Sequence, residues 1–290
     1  MRPFGLAGLQ LPAPPGDNFD AIAAQVAFTR RVYPWVDMIL LGELCWFGAN
    51  PADAVPLPGP FEDRIRDLAR RHQVWLAAGS LYERDGDKVY NTCPVIDPDG
   101  QVVARARKLY PFLPYEKGVA GGEAVTVFEV PGVGRFGLSI CYDMWFPETV
   151  RAMAWQGAEV ILHPSMTTTI DRDVETAMAR ANAAMQQCYF VDLNVVGMGG
   201  GRSGVYGPGG EIIHQAGAGP EIIPVELDLD QVKRVRERGW HGLGQVLKSF
   251  RDADLPFEPY SRGAKASPAF TALGPMRYAA KGVSKDGDGD

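Results

Sequence analysis

The chain has 290 residues, 46% of them hydrophobic, and a formal net charge of −6. An acidic chain without a concentrated basic face argues against a nucleic-acid or anionic-membrane partner, because phosphate binding needs clustered Lys and Arg. No apolar run approaches the roughly 20 residues of a membrane span, and the short apolar N-terminal segment lacks a signal-peptide pattern.

The cysteines indicate a reducing compartment and no metal site. Their positions are Cys45, Cys93, Cys141 and Cys188. They are too few for a disulfide framework, and their spacing matches no metal-binding motif. We therefore expect a cytoplasmic protein.

The first half of the chain alternates apolar strands with amphipathic helices. Apolar runs and turn signals predict strands over residues 4–10, 38–41, 74–79, 89–96 and 102–108. Helices are predicted to begin near Asp17 or Asn18 and at Pro60, where capping or helix-starting residues precede an apolar periodicity. The turn Asp97-Pro98-Asp99-Gly100 joins the last two strands as a hairpin.

The second half continues this alternation after a loop rich in Pro and Gly. Strands are predicted over residues 125–130, 134–141, 159–163, 188–196, 211–213 and 222–227. Helices are predicted over 148–156 and from a cap at Asp171 to about Gln187. The patch Gly199-Gly200-Gly201 lacks the frame of a phosphate-binding loop and is interpreted as a flexible turn into a strand. The basic run 233–238 is interpreted as the solvated face of a helix.

The predicted strands are mostly apolar on both faces, which indicates that layers cover both sides of the sheet. We predict one α/β domain over residues 1–254, with a mixed sheet and helices outside it. Residues 255–280, including Phe257 and Tyr260, are predicted to form an extended arm that packs on a subunit, its own or a neighbour's. The final residues, 281–290, have the composition of a disordered tail.

One cysteine stands at the end of a predicted strand. A short apolar run ends in Cys141, a polar break follows, and Pro147 opens a helical pattern. Such a strand–turn–helix segment lifts a thiol out of the sheet, and the following backbone N–H groups favour developing negative charge. Most cysteines are small buried hydrophobes, however, and this segment alone favours that interpretation.

Three charged residues are candidates for a functional site, and one of them ends an apolar strand, where an ionised carboxylate is costly to bury. Glu43 follows the apolar strand 38–41, so it is a candidate general base with a raised pKa, or a surface carboxylate just past the strand. Lys108 closes a strand, and Glu116 follows it beyond a loop that contains two prolines. Taken separately, these two residues are better explained as a solvated strand end and a loop acid.

Together these segments resemble the nitrilase superfamily of carbon–nitrogen hydrolases. That family carries a Glu at the end of an early strand, a Lys in an Arg-Lys motif and a Cys in an elbow of the Cys-Tyr-Asp type. Glu43, Lys108 and Cys141 match in order and approximate spacing. Glu116 occupies the position of the family's further Glu after the Lys. Residues 204–210 resemble a later turn of the family.

The resemblance has two departures. A long helix of the family often reads Arg-Ala-Arg-Ala-x-Glu-Asn, whereas this chain keeps Arg180 but has Met185 and Gln186 in place of the Glu and Asn. The elbow around Cys141 is more similar to amidases and formamidases than to true nitrilases, which usually have Trp-Glu after the Cys.

The resemblance implies an α-β-β-α sandwich that pairs into a four-layered dimer. It also implies a thiol hydrolase that needs no metal and no cofactor and whose partners are a small amide and a second copy of the chain. In that chemistry Glu43 takes the thiol proton and Cys141 attacks the amide carbon. Lys108 and the backbone N–H of Tyr142 stabilise the oxyanion. Glu116 orients Lys108 or is a purely structural brace.

Apolar residues near the elbow are candidate pocket walls, although ordinary core packing explains some of them equally well. These residues are Phe47, Tyr115, Trp145 and Met166. Carbamoyl amino acid hydrolases of the family generally place arginine just after the elbow, where this chain has Met144 and Trp145. The resemblance therefore favours a small or apolar carboxamide, unless Arg172 or Arg202 supplies a cation from a loop.

Several alternatives remain open. An N-carbamoyl amide or nitrile hydrolase of the same superfamily is the first. A catalytically silent member acting as a binding or assembly protein is the second, and the joint presence of Glu43, Lys108 and Cys141 disfavours it. His163 is better explained as a hydrogen-bonded core residue than as a pocket residue, and His241 either reaches the site or caps a helix.

Overall fold

The computed structural model describes residues 2–257, 260, 272 and 273. The predicted tail 281–290 lies outside the described residues, as does most of the predicted arm 255–280. No helix within the described ranges is both long and apolar enough to cross a bilayer.

The described chain forms fifteen strands and six α-helices. The strands are β1 (Pro3–Gln10), β2 (Met38–Leu41), β3 (Val55–Pro56), β4 (Trp75–Ala77), β5 (Leu81–Asp85), β6 (Lys88–Ile96), β7 (Val102–Arg107), β8 (Val119–Ala120), β9 (Thr126–Val130), β10 (Gly134–Leu138), β11 (Val160–Ser165), β12 (Tyr189–Asn194), β13 (Gly204–Tyr206), β14 (Ile212–Gln215) and β15 (Glu221–Asp228).

The helices alternate with these strands through most of the chain. They are α1 (Phe19–Val32), α2 (Pro60–His72), α3 (Pro147–Trp155), α4 (Thr169–Gln186), α5 (Leu229–Arg238) and α6 (Val246–Asp252), with short 3-10 helices at Pro51–Asp53, Cys141–Trp145 and Trp240–Gly242. The basic run 233–238 lies on α5, as predicted.

The strands form two mixed sheets. The first sheet has the order β15-β1-β2-β4-β6-β5-β3, with β7 and β8 also paired to β6. The second has the order β14-β13-β12-β11-β10-β9. Strands β1, β2 and β4 run parallel, as do β10, β11 and β12, so the loops after these strands leave from the carboxyl edges of the two sheets.

The apolar core is arranged in layers. Side chains of both sheets, among them Leu6, Leu40, Phe136 and Leu162, form the central cluster. Helices α1 and α2 pack on the outer face of the first sheet, where Ile65 is fully buried. Helices α3 and α4 cover the outer face of the second sheet. The predicted α-β-β-α sandwich is thus confirmed.

The residue pattern alone was wrong about the number of sheets, because strands that are apolar on both faces indicate covering layers without saying whether a second sheet is one of them. Strand β5 was also missed, and it pairs with β6 in a hairpin that precedes the predicted one. The predicted cap at Asp171 is wrong as well. Helix α4 begins at Thr169 after Thr168, and Asp171 lies in its first turn.

Candidate active site

Cys141 stands just beyond β10 in a strained backbone conformation. Its φ is +47°, in the left-handed region that residues with a side chain rarely adopt. The residue opens the 3-10 helix Cys141–Trp145, whose first hydrogen bond runs from the Asp143 N–H to the Ile140 carbonyl at 3.1 Å. Because that bond begins at Asp143, the N–H of Tyr142 is not used by the helix.

Asp143 fixes this elbow against the loop that follows β7. Its Oδ2 accepts from the Ile140 N–H at 3.2 Å, while Oδ1 accepts from the N–H groups of Leu109 and Tyr110 at 2.9 and 2.8 Å. Burial raises the pKa of Asp143 to about 6, against the lowering effect of these N–H donors. One carboxylate therefore holds together the segments that carry Cys141 and Lys108.

Lys108 is buried between two carboxylates. Its Nζ donates to Glu43 Oε1 at 2.8 Å and to Glu116 Oε2 at 2.7 Å, and each of these three residues is at most 3% exposed. Glu116 Oε2 also accepts from the Phe112 N–H at 2.6 Å, which closes the loop around the lysine. An unpaired charge at this depth would cost several kcal/mol, so the three groups must be buried together.

A residue that the sequence analysis missed links the two carboxylates. Asn91, on β6, donates from Nδ2 to Glu43 Oε1 and to Glu116 Oε1, each at 2.9 Å. The backbone of the same residue also accepts from the Lys108 N–H at 2.8 Å. A polar residue in the middle of the predicted apolar strand 89–96 was the available signal, because a buried amide must have partners.

Burial and neighbouring charges together shift the pKa values of Glu43, Cys141 and Lys108. Burial raises the pKa of Glu43, against the lowering effects of Lys108 and of a hydrogen bond with Cys141. Burial also raises the pKa of the Cys141 thiol, and the Glu43 charge raises it further. Burial alone would lower the pKa of Lys108, but the surrounding carboxylates outweigh it and hold that pKa well above its usual value. Lys108 is therefore a permanent cation.

These side chains line a cavity of about 390 Å³, a size suited to a small organic molecule. Its lining includes all four charged or nucleophilic candidates, the predicted wall residues Tyr115, Trp145 and Met166, and Tyr142, the predicted source of an oxyanion N–H. The residues of the lining that the sequence analysis did not select are Leu44, Ala49, Tyr82, Phe112, Thr167, Thr168, Ile170, Asp171, Glu175 and Met198.

Three other candidates lie away from the cavity. Phe47 is absent from the cavity lining and packs against Phe61 with ring centroids 4.5 Å apart, so its predicted place in the pocket wall is wrong. Arg172 is committed to Asp192 at 2.5 Å in the interior, and Arg202 pairs with an exposed carboxylate. Neither arginine is part of the cavity lining. Their pairing partners were invisible in the sequence.

The two histidines in question also lie outside the lining. His163 is fully buried on β11, and its Nδ1 lies 3.2 Å from Ser139 Oγ. Burial lowers the pKa of His163 to about 3, so the ring is neutral. The core interpretation is confirmed. His241 is exposed in a turn after α5.

Two further residues of the lining belong to the site, Glu175 on α4 and Thr167 after β11 of the second sheet. Glu175 shares the inner face of α4 with the buried Ala179 and Ala183, one and two turns further on. A carboxylate four residues before Ala179 and eight before Ala183, on the face of the helix that these alanines share, was the signal for it. Thr167 follows β11, at the same edge as Cys141.

Comparison with known proteins agrees with this geometry. Residues 18–237 match the family described as carbon-nitrogen hydrolase. The chain is 29% identical over 210 residues to omega-amidase NIT2 of Homo sapiens, covering 66% of this chain and 76% of that protein. It is 30% identical over 226 residues to a formamidase of Bacillus cereus (strain Q1), covering 73% of this chain and 68% of that one.

A solved structure is similar as well. It is a Cys-to-Ser mutant of an amidase of Nesterenkonia AN1 from the nitrilase superfamily, with a TM-score of 0.71 and 27% identity over 81% of this chain and 95% of that chain. Fold and sequence together define a hydrolase of carbon–nitrogen bonds. The chain belongs to the carbon-nitrogen hydrolase family, within the nitrilase superfamily, and its relatives include proteins named as amidases.

The Asn91→Ala substitution tests whether the amide holds the buried carboxylates in place. The free energy of unfolding in urea should fall by about 3 kcal/mol, because two hydrogen bonds to charged acceptors are lost. Gln156→Ala, which truncates an exposed amide, should change it by less than about 0.5 kcal/mol. Equal unfolding midpoints for the two variants would contradict a bracing role for Asn91.

Proposed function

We propose that the protein is a thiol hydrolase that cleaves the C–N bond of a small carboxamide to an acid and ammonia through a thioester on Cys141. The observation that carries this proposal is the convergence of Cys141 with the buried Glu43–Lys108–Glu116 cluster in one cavity. A carboxylate, an ammonium and a thiol at one site supply a base, an electrostatic stabiliser and a nucleophile without a further group.

Acylation begins with proton transfer from the thiol to Glu43. The burial that raises the pKa of Glu43 makes it a stronger base than a surface carboxylate, which suits this transfer. The Cys141 thiolate then attacks the carbonyl carbon, and a C–S bond forms as the carbonyl electrons move to oxygen. The oxyanion is held by the Lys108 ammonium and by the unused N–H of Tyr142.

The leaving group departs when Glu43 returns the proton to the amide nitrogen. The C–N bond breaks, ammonia is released, and the thioester remains on Cys141. Water then loses a proton to Glu43 and attacks the thioester, and collapse of the second tetrahedral intermediate frees the acid and regenerates the thiol. Glu116 touches Lys108 throughout, so we assign it the orientation of the ammonium.

The charges that line the cavity favour an uncharged acyl group. Lys108 is the only basic residue among the lining residues that the structure describes, and it is already shared by two carboxylates. Asp171 adds negative charge, as does Glu175 when it is ionised, and the remaining lining is largely apolar and aromatic. A substrate carboxylate would be desolvated there without a partner.

Two further proposals concern the location of the protein and the extent of its domain. We propose a cytoplasmic protein, a proposal that the free thiols of all four cysteines support. We also propose that residues 1–254 form the hydrolase domain, because the two sheets and the helices that cover them end before that boundary.

Substitution of the nucleophile tests the reaction. Cys141→Ala should lower ammonia release from simple amides by at least about 10³-fold, because no covalent intermediate can form. Cys188→Ala, at another buried thiol, is the control and should retain activity. In the unmodified protein, electrospray mass spectrometry after mixing with a panel of amides, nitriles and N-carbamoyl acids should detect an acyl adduct on Cys141 with amides.

Ammonia release at equal rates from the protein and Cys141→Ala would rule out the proposed reaction. Faster turnover of nitriles or N-carbamoyl acids than of any amide would instead favour another hydrolase of the superfamily. Absence of turnover and of adducts across the whole panel would favour a binding or assembly protein.

A matched pair of substrates tests the charge preference. The kcat/KM for pentanamide should exceed that for succinamate about 100-fold, since the succinamate carboxylate finds no free cation in the cavity. Met198→Arg introduces a cation into the lining and should reduce this ratio about tenfold. Leu243→Arg, at an exposed position outside the lining, should leave the ratio unchanged. Similar kcat/KM values for both amides would contradict the proposed preference.

We also propose that the chain assembles into at least a homodimer. Helices α3 and α4 leave large apolar side chains exposed, including Trp155 at 59% and Met185 at 42%, as expected for a face that packs against a second copy. Light scattering after size-exclusion chromatography should give at least twice the 31.5 kDa chain mass. A monodisperse monomer at micromolar concentration would reject this proposal.

A further inference from the structure

The Cys141 sulfur has a second polar neighbour besides Glu43. Thr167 Oγ1 lies 3.7 Å from Cys141 Sγ, a hydrogen-bond distance for sulfur. Glu43 approaches from a loop of the first sheet, whereas Thr167 follows β11 in the second sheet. The proposed mechanism uses the first of these contacts and assigns no role to the second.

Thr167 is held too firmly for this contact to be incidental. Its N–H donates to Asn194 Oδ1 at 2.8 Å, and Asn194 Nδ2 donates back to the Thr167 carbonyl at 2.9 Å. Its hydroxyl also lies 3.1 Å from Ser165 Oγ. The backbone of Thr167 is thus fixed, and the direction of its hydroxyl proton is the remaining freedom.

The next member of the chain of hydrogen bonds is a buried carboxyl group. Glu175 Oε1 accepts from Thr167 Oγ1 at 3.0 Å and from Trp145 Nε1 at 3.3 Å. Glu175 Oε2 accepts from Arg172 Nη1 at 3.3 Å, and Arg172 is itself paired with Asp192. The chain Asp192–Arg172–Glu175–Thr167 therefore runs from the interior to the sulfur of Cys141.

We propose that Thr167 and Glu175 are positioning residues for the Cys141 sulfur. The protonation state of the Glu175 carboxyl determines whether the Thr167 hydroxyl donates its proton toward that sulfur. This inference rests on the proposed function, because it assumes that the Cys141 thiolate is the attacking group. Neither residue touches the bond that is broken.

The direction of the hydroxyl follows from proton counting. An ionised Glu175 is an acceptor only, so Thr167 donates to it and turns a lone pair toward the sulfur. A protonated Glu175 donates to Thr167, and the hydroxyl proton is then free to bind the thiolate. One proton changes place along the chain, and the thiolate gains a charge-assisted hydrogen bond.

Both forms of Glu175 are accessible near neutral pH. Burial raises the pKa of Glu175 to about 7, and the Asp192 charge adds to this, while Thr167, Arg172 and Trp145 lower it. The cavity that Glu175 lines also holds Asp171, on the same helix, the Cys141 thiol, whose pKa the Glu175 charge raises, and the Glu43–Lys108–Glu116 cluster.

The supporting form is the protonated one, so its contribution is present below pH 7 and is lost as the pH rises through about 7. Glu43, whose pKa burial also raises, must be ionised to act as the base. It therefore limits the reaction on the acid side.

Thiolate reactivity measures this contribution without amide hydrolysis. The rate of exchange of Cys141 with 2,2′-dithiodipyridine is followed against pH, and Cys141→Ala supplies the rate of the other thiols. In the unmodified protein the stabilisation of the thiolate should weaken about tenfold as the pH rises through 7, the effect of one charge-assisted hydrogen bond. The profile should therefore show an inflection near pH 7.

Glu175→Gln and two variants of Thr167 complete the experiment. The side-chain amide introduced by Glu175→Gln would donate to Thr167 at every pH, so this variant should lack the inflection. Thr167→Val should also lack it and should lower kcat about tenfold with little change in KM for a neutral amide, whereas Thr167→Ser should restore both. The thermal midpoint of each variant checks that the fold is retained.

Two results would overturn the proposal. One is a Glu175→Gln profile that superimposes on that of the unmodified protein. The other is a Thr167→Ser variant that is folded but behaves like Thr167→Val, since the methyl group rather than the hydroxyl would then matter. If the profiles shift as expected but no amide is hydrolysed by any form, the proposed function fails while the positioning of the sulfur stands.

Discussion

A single buried ammonium imposes the strictest constraint on this molecule. Lys108 is 2% exposed, and a lone charge at that depth is not tolerated. Glu43 and Glu116 must therefore approach from other parts of the chain, and Asn91 must hold them at a distance where both reach the same nitrogen. The loops after β2 and β7 are thus committed to one arrangement before any substrate arrives.

The sandwich explains why such a cluster can form. Parallel strands in each sheet deliver their following loops to one edge, so Glu43 from the first sheet and Cys141 from the second meet above the apolar core. The sheets themselves contribute mostly apolar side chains. The low dielectric of that core strengthens every charge interaction at the edge, which is the condition that electrostatic stabilisation of an oxyanion needs.

Sequence reasoning found the parts of the site that are marked by local pattern. Glu43 follows an all-apolar strand and Cys141 comes at the end of an apolar run, and their order along the chain with Lys108 is a family signature. Side chains whose role depends on distant partners could not be found in this way. Arg172 looked available as a substrate cation because Asp192, its partner 20 positions further on, gives no local signal. The Asn91 bridge depends on the pairing of β6 with β7, which brings it beside Lys108.

The Asp143 carboxylate has a mechanical consequence. It accepts hydrogen bonds from N–H groups of both the elbow and the Leu109–Tyr110 segment, so it links the segment that carries the nucleophile to the segment that carries the ammonium. Neither segment can move away from the other without breaking these hydrogen bonds, so no hinge lies between them. On heating, catalytic activity and folded structure should therefore be lost over the same narrow temperature range. Activity should not be lost first through local unfolding of one segment.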